Sequence, residues 1–187
     1  GGTWLGPDLG TVENAVAVQQ RTANNKNNYW DAIGNVYGEV TFLKHFTARS
    51  SFGGTLDHES THNFTYNAYN DKQGHTSQNS YNENAYFNNS YTWTNTINFK
   101  NSYGKHDVKI IAGSEAVQNY GEALGGSSNQ FFSTDPNYVF LNNGTSNVTN
   151  YSNAYKNTLF SLFSRLDYTF NDKYLFAATI RRDGSSV

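Results

Sequence analysis

Large apolar and small polar residues alternate along several stretches of this chain. In residues 91–99 most odd positions are large and apolar, whereas the even positions are small and polar. The same period of two recurs, with varying strength, in residues 36–42, 46–57, 108–112, 160–170 and 174–181. Because successive side chains of a strand point to opposite faces, this period predicts strands with one apolar and one polar face.

The connections between these strands alternate in length. Short connections occur at residues 43–45, 101–106 and 171–173, and they are separated by long segments rich in Asn, Ser, Tyr and Gly at about 67–85 and 119–157. Outer-membrane barrels have tight periplasmic turns and long extracellular loops. The pattern therefore predicts an all-β fold, a transmembrane antiparallel β-barrel, of which about six or seven strands are present. A soluble β-sandwich or adhesin-like module remains the alternative at this point.

Charged residues lie on the polar side of the predicted strands. An arginine at the centre of a lipid bilayer costs about 2 to 4 kcal/mol, so in a membrane these side chains should face the barrel lumen or the outer rim. The residues that we predict to face the lumen are Arg49, Arg165, Asp167 and Arg181. We also expect Arg182 and Asp183 to face the lumen or the outer rim.

Composition narrows the class of protein further. Only 36% of the 187 residues are hydrophobic, yet 16% are aromatic and the formal net charge is only -2. Disordered chains usually have few aromatics and a high net charge, so disorder is disfavoured. The near-neutral charge argues against nucleic acid as a partner. The absence of Cys excludes disulfides and thiol catalysis. Both ends fall in mid-pattern, so we expect residues 1–187 to be part of a longer protein.

The long segments carry aromatic rings interleaved with Asn and Gln, which could stack on sugar faces while the amides bond to hydroxyls. The candidate substrate-binding residues are Tyr120, Phe131, Phe132, Tyr138 and Phe140. Packing of the loops on themselves is the alternative role. His58 and His62 would lie about 13 Å apart on one strand face, so we predict no metal site there. We predict no cofactor and no catalytic residues, because no recognisable catalytic arrangement is present.

Residues 159–186 carry a distinctive sequence, in which LFSLFSRLDY is followed by DKYLFAATIRRDGSS. This segment resembles the barrel signature LFSRLNYxYxDKYLLxATxRRDGSS of the SusC/RagA family of TonB-dependent outer-membrane transporters, with Asp167 where Asn is commoner. Trp93-Thr94-Asn95-Thr96, residues 103–108 and residues 112–116 resemble further segments of that family. The resemblance covers about residues 14 to 187 and departs mainly in the two long loops.

The resemblance implies part of a large plugged barrel of about 22 strands in the outer membrane of a member of the Bacteroidota. It further implies active import of oligosaccharides or peptides, driven by TonB through a plug region, with a SusD-like surface lipoprotein and lipopolysaccharide as partners. The lumenal charges would then pair with the plug or contact substrate. A passive porin-like channel and a secreted glycan-binding module are the other functions that the sequence allows.

Overall fold

A computed structural model describes residues 15–67 and 78–186. It contains one helix and six strands, which form a single sheet in sequence order. The elements are α1 (Ala15–Thr22), β1 (Lys26–Phe42), β2 (Phe46–Thr65), β3 (Ser80–Tyr103), β4 (His106–Asn129), β5 (Ser146–Phe170) and β6 (Tyr174–Ser185). Two single-turn 3₁₀ helices, Pro136–Tyr138 and Leu141–Asn143, precede β5. The predicted strands are therefore present, whereas α1 was not predicted.

Short connections join β1 to β2, β3 to β4 and β5 to β6, as the sequence predicts. Each contains residues with positive φ, among them Lys44 at 59°, Gly104 at 60° and Asp172 at 54°. Positive φ is favoured in tight hairpin turns because its local twist matches that of the flanking strands. Gly104 adopts this conformation without the steric strain that a side chain adds.

Strands extend well into the segments that the sequence assigns to loops. β3 begins at Ser80, β4 continues to Asn129 and β5 begins at Ser146. The connection between β4 and β5 is therefore residues 130–145, and the prediction of a loop from 119 to 157 is wrong at both ends. Tyr120 lies on β4. Strands with polar residues on both faces show no hydrophobic alternation, so backbone pairing alone reveals them.

The coordinates divide into two compact units. The turn unit consists of residues 31–57, 88–121 and 154–187, and it contains all three short connections. The loop unit consists of residues 1–30, 58–87 and 122–153, and it contains the connection between β4 and β5. The hydrophobic core among the described residues lies in the loop unit, where Phe64, Tyr81, Phe131 and Val139 are buried.

The register of β5 and β6 in the turn unit fixes which residues share a face. Phe170 pairs with Tyr174, Phe163 with Arg181 and Ser161 with Asp183. Odd-numbered residues of the two strands therefore lie on one face and even-numbered residues on the other. Arg181 and Asp183 therefore share a face with Arg165 and Asp167.

Candidate functional site

One face of the turn unit is polar, and its side chains contact each other from strand to strand. Thr55 on β2 bonds to Ser90 on β3 across 2.8 Å, and Thr94 on β3 donates to Glu115 on β4 at 3.5 Å. Glu115 in turn accepts from Arg181 on β6. We call this the polar face, with Tyr37, Glu39, Arg49, Thr55, Ser90, Thr94, Glu115, Ser161, Phe163, Arg165, Asp167, Arg181 and Asp183 as members.

Arg181 is the centre of the largest charged network on the polar face. Its Nη2 donates to Glu115 Oε1 at 3.0 Å and to Ser161 Oγ at 2.9 Å, while its Nε donates to Asp183 Oδ1 at 2.7 Å. The guanidinium carbon lies 6.0 Å from the centre of the Phe163 ring. Hydrogen bonds between charged groups are roughly twice as strong as neutral ones. Arg181 therefore ties β4, β5 and β6 together on the side of the sheet that needs water or a polar partner.

The other predicted charged residues also have partners on the polar face. Arg165 and Asp167 form a bidentate pair, in which Nε donates to Oδ2 at 2.9 Å and Nη2 donates to Oδ1 at 2.7 Å. Arg49 lies 3.9 Å from Glu39 Oε2, and its guanidinium carbon is 4.0 Å from the centre of the Tyr37 ring. The structure thus places each predicted arginine beside an acidic residue of the polar face.

Sequence reasoning missed Glu115 as a partner of Arg181, and the register separates Arg182 from both. Glu115 is the lone acidic residue within residues 108–121, and its place in the alternating pattern could have identified it as a residue of the polar face. Arg182 pairs with Leu162 and so lies on the face opposite Arg181. Strand geometry separates consecutive side chains, so Arg182 does not share the polar face with Arg181, and the outer rim is the other position that the sequence predicts for it.

The opposite face of the turn unit, which we call the apolar face, carries large hydrophobic side chains that no part of the described chain covers. Trp93 is 51% exposed and Ile97 is 49% exposed. Neighbouring rings contact one another along this face, as Phe46 does with Phe99 at 5.0 Å. Further exposed members are Val36, Val40, Phe42, Phe52, Leu56, Tyr91, Ile110, Phe160, Leu162, Phe170, Tyr174, Phe176 and Ile180. In water such a surface would be unfavourable.

The candidate substrate aromatics of the loop unit fall into two groups. Phe131 is buried, and its ring meets Phe64 at 5.6 Å and Tyr81 at 6.2 Å. Its surroundings are those of a packing residue. Phe132, Tyr138 and Phe140 are exposed, and the first two rings lie 5.9 Å apart. The structure therefore brings Phe132 and Tyr138 together. Tyr120, the remaining candidate, belongs to the turn unit, where it lies half-buried on β4.

Asn79 holds the connection between β4 and β5 in place. Its Nδ2 donates to the Phe131 carbonyl at 3.1 Å, and its Oδ1 accepts from the Phe131 backbone N–H at 2.7 Å. The Asn79 carbonyl also accepts from the Gln130 N–H at 2.9 Å. Asn79 is buried, so these bonds satisfy groups that water cannot reach. The ring of Phe131 is thereby fixed in the core of the loop unit.

His62 joins Tyr81 and Glu83 in a small polar cluster of the loop unit. The Nδ1 atom of His62 is 2.9 Å from Tyr81 Oη and 3.5 Å from Glu83 Oε1. Burial and the neighbouring Glu83 carboxylate raise the pKa of Tyr81 to about 12, because both disfavour the phenolate. Within residues 15–67 and 78–186, no group of three or more His, Asp or Glu side chains is placed to hold a metal ion.

No helix among the described residues is long and apolar enough to cross a membrane. No family model matches the chain. The TonB-dependent receptor P3 of Formosa agariphila is 35% identical over 96 residues, which are 49% of this chain and 9% of that protein. The TonB-dependent receptor SusC of Bacteroides thetaiotaomicron is 29% identical over 171 residues, which are 87% of this chain and 16% of that protein.

The RagAB peptide importer in its open-open state shares 25% identity with a TM-score of 0.80, over 91% of this chain and 19% of that chain. The resemblance to SusC-like TonB-dependent receptors is confirmed. BauA, the ferric preacinetobactin receptor of Acinetobacter baumannii, has the same fold at a TM-score of 0.54 and 15% identity, over 87% of this chain and 26% of that chain. The predicted all-β barrel fold and outer-membrane location are confirmed as well. This chain spans only 9% and 16% of the two curated relatives.

Proposed function

We propose that this chain is part of the barrel of an active nutrient importer of the outer membrane. The observation that carries the proposal is the division of the turn unit into two faces. The apolar face leaves Trp93 and Ile97 about half exposed, whereas the polar face carries Arg49, Arg165 and Arg181 with their acidic partners. A strand with lipid on one side and an aqueous lumen on the other needs this division.

In this proposal the arginines of the polar face line the lumen. Their acidic neighbours neutralise these arginines on the polar face itself. A polar plug can therefore pack against this face without burying an unpaired charge. Passage of a nutrient then depends on moving the plug, for which we propose energy from TonB. Receptors named for TonB dependence are among the relatives, which supports this part of the proposal.

We further propose that Phe132, Tyr138 and Phe140 contact the substrate, and that a SusD-like lipoprotein covers the loops. Hydrogen bonds within residues 130–145 support these roles, since they hold the rings in place before any ligand arrives. Thr145 Oγ1 donates to the Gln130 carbonyl at 3.0 Å, and Asn143 Nδ2 donates to the Tyr138 carbonyl at 2.9 Å. A preorganised surface loses less entropy when it binds.

Uptake by cells that carry the full-length receptor tests the proposal. Labelled neutral oligosaccharides and labelled short peptides are supplied separately, with and without a protonophore and with and without the tonB gene. We expect one class of substrate to accumulate, and both treatments to abolish its accumulation. Entry that continues without TonB and stops at the external concentration would contradict active import and favour a passive channel instead.

A soluble glycan-binding module is the other alternative, and it requires a second layer over the apolar face. No described residue covers Trp93 or Ile97 in this way. Fractionation of the same cells separates the two possibilities. We expect the full-length protein in the outer-membrane fraction, bound together with the proposed lipoprotein after mild detergent extraction.

A further inference from the structure

The ring of Tyr151, on β5 in the loop unit, lies close to Gly125 on β4. A Cβ atom at Gly125 would come within 2.8 Å of Tyr151 Cε1, closer than real side chains approach. Asn84 Oδ1 would be closer still, at 2.4 Å, so the absence of a side chain at Gly125 makes room for both the Tyr151 ring and the Asn84 amide. Tyr151 is nevertheless 43% exposed. Part of the ring therefore lies against β4, and part of it is open to a ligand.

The Tyr151 hydroxyl extends over β4 into a chain of neutral polar groups. It donates to Asn84 Oδ1 at 3.0 Å, and it lies 3.2 Å from the Tyr86 hydroxyl. Asn84 Nδ2 in turn donates to Thr61 Oγ1 at 3.1 Å. These side chains come from three strands, β2, β3 and β5, and none is ionisable near neutral pH.

Hydrogen-bonding capacity remains in this chain of groups. Because Tyr151 donates to Asn84, it accepts from Tyr86, so the Tyr86 oxygen keeps its acceptor lone pairs. The second N–H of Asn84 and the hydroxyl hydrogen of Thr61 have no partner within the described part of the chain. A ligand hydroxyl, which both donates and accepts, matches this mixture of free donors and acceptors.

From this geometry we propose that Tyr151, Asn84, Tyr86 and Thr61 form a subsite for one ring of a neutral oligosaccharide. The C–H face of a pyranose packs on the exposed part of the Tyr151 ring, and its equatorial hydroxyls bond to the Asn84 amide and the Thr61 hydroxyl. An apolar surface with a few convergent polar groups is the usual chemistry of a small-molecule site. This inference rests on the proposed import function and narrows its substrate class to sugars.

Aromatic cover of a strand glycine also occurs for purely structural reasons. Phe163 covers Gly113 in the turn unit, where a Cβ atom would come within 2.6 Å of Phe163 Cζ. A phenylalanine therefore suffices for cover. Covering a glycine therefore requires neither the Tyr151 hydroxyl nor its hydrogen bond to Asn84. These two features are the ones that indicate a ligand.

Calorimetric binding to the purified full-length receptor tests the subsite. The probes are maltohexaose, cellohexaose, laminarihexaose and xylohexaose, together with a mixture of random octapeptides. We expect at least one hexasaccharide to bind, with affinity reduced at least about tenfold in Tyr151→Ala, as for a central contact residue. Tyr151→Phe keeps the cover over Gly125, and we expect it to weaken binding by a smaller factor. Val148→Ala, an exposed change on the same strand, should bind as the native receptor does.

Heat-modifiable migration in gels shows whether each variant is folded, and Asn84→Ser provides a second route if Tyr151→Ala does not assemble. The subsite would be overturned if the hexasaccharide affinity were unchanged both in Tyr151→Phe and in Tyr151→Ala. Where Tyr151→Ala does not assemble, unchanged affinity both in Tyr151→Phe and in Asn84→Ser would overturn it. Binding of the octapeptides alone would overturn it too. Import in cells that still depends on TonB would in either case leave the proposed function intact, so the two failures can be told apart.

Discussion

At the scale of single residues, glycines of β4 lie beneath aromatic rings of β5. A Cβ atom at Gly121 would overlap the Tyr155 ring and come within 2.7 Å of Asn88 Oδ1. Both neighbours are side chains, so the strain can be relieved by displacing them. The sequence shows Gly121 only as a small residue in a polar segment, and only strand pairing reveals what covers it.

We therefore predict that Gly121→Ala destabilises the full-length receptor by about 1–3 kcal/mol, the usual cost of forcing extra volume into a packed site. Urea-induced unfolding in detergent measures the change. Gly34→Ala is the matched control, since nothing lies within 4 Å of a Cβ atom at Gly34. Adding Tyr155→Ala should restore part of the loss. Equal effects of Gly121→Ala and Gly34→Ala would refute the prediction.

Tyr81 gives a second prediction, which concerns pH. Its pKa is raised from 10.0 to about 12 in the folded state by burial and by Glu83. The folded state therefore holds this proton more tightly than the unfolded state does. The corresponding stability is present below pH 10 and is lost as the pH rises toward about 12.

Ultraviolet absorbance of tyrosinate during an alkaline titration measures this behaviour. We expect Tyr81→Phe to remove one late-ionising phenol from the titration curve of the native receptor. Tyr81→Phe should also be less destabilised by alkaline pH than the native receptor, because ionisation of Tyr81 no longer contributes. A titration curve unchanged by Tyr81→Phe would show that Tyr81 ionises normally.

At the scale of elements, the connection between β4 and β5 is held by one buried side chain. Asn79 bonds to both backbone groups of Phe131. We predict that Asn79→Ala costs about 1–3 kcal/mol locally, because two buried backbone groups lose their partners. Hydrogen exchange within residues 130–145 should accelerate as a result, while the amides of the turn unit keep their protection.

Asn82→Ala is the control for this variant, since Asn82 is an exposed asparagine three residues further along the chain. Its exchange pattern should match that of the native receptor. Unchanged protection of residues 130–145 in Asn79→Ala would mean that the buried rings hold the connection without Asn79.

At the scale of the whole molecule, the two faces of the turn unit determine where the protein resides. Ile97 is half exposed on the apolar face, whereas its neighbour Thr96 points to the other side of β3. We predict that Ile97→Arg impairs assembly in the outer membrane, with a cost of up to about 2–4 kcal/mol for an arginine facing lipid. Thr96→Arg, which places the same charge toward water, should assemble nearly normally.

The fraction of heat-modifiable receptor in the outer membrane measures both variants. Equal assembly of the two would contradict a lipid-facing role for the apolar face. The result also bears on the proposed function, since a soluble module would tolerate arginine at any exposed position.

The sequence by itself determined the strands and their faces, because side-chain alternation is a local property of the backbone. It predicts that Arg49, Arg165, Asp167 and Arg181 face the lumen, and its 159–186 segment identified the resemblance. Only the tertiary structure decided where the long strands end, since pairing between distant segments extends β3, β4 and β5 into polar sequence. It alone showed Phe131 buried, Glu115 bound to Arg181, and Tyr151 lying over Gly125. Contacts between residues tens of positions apart depend on strand register, which a local pattern does not contain.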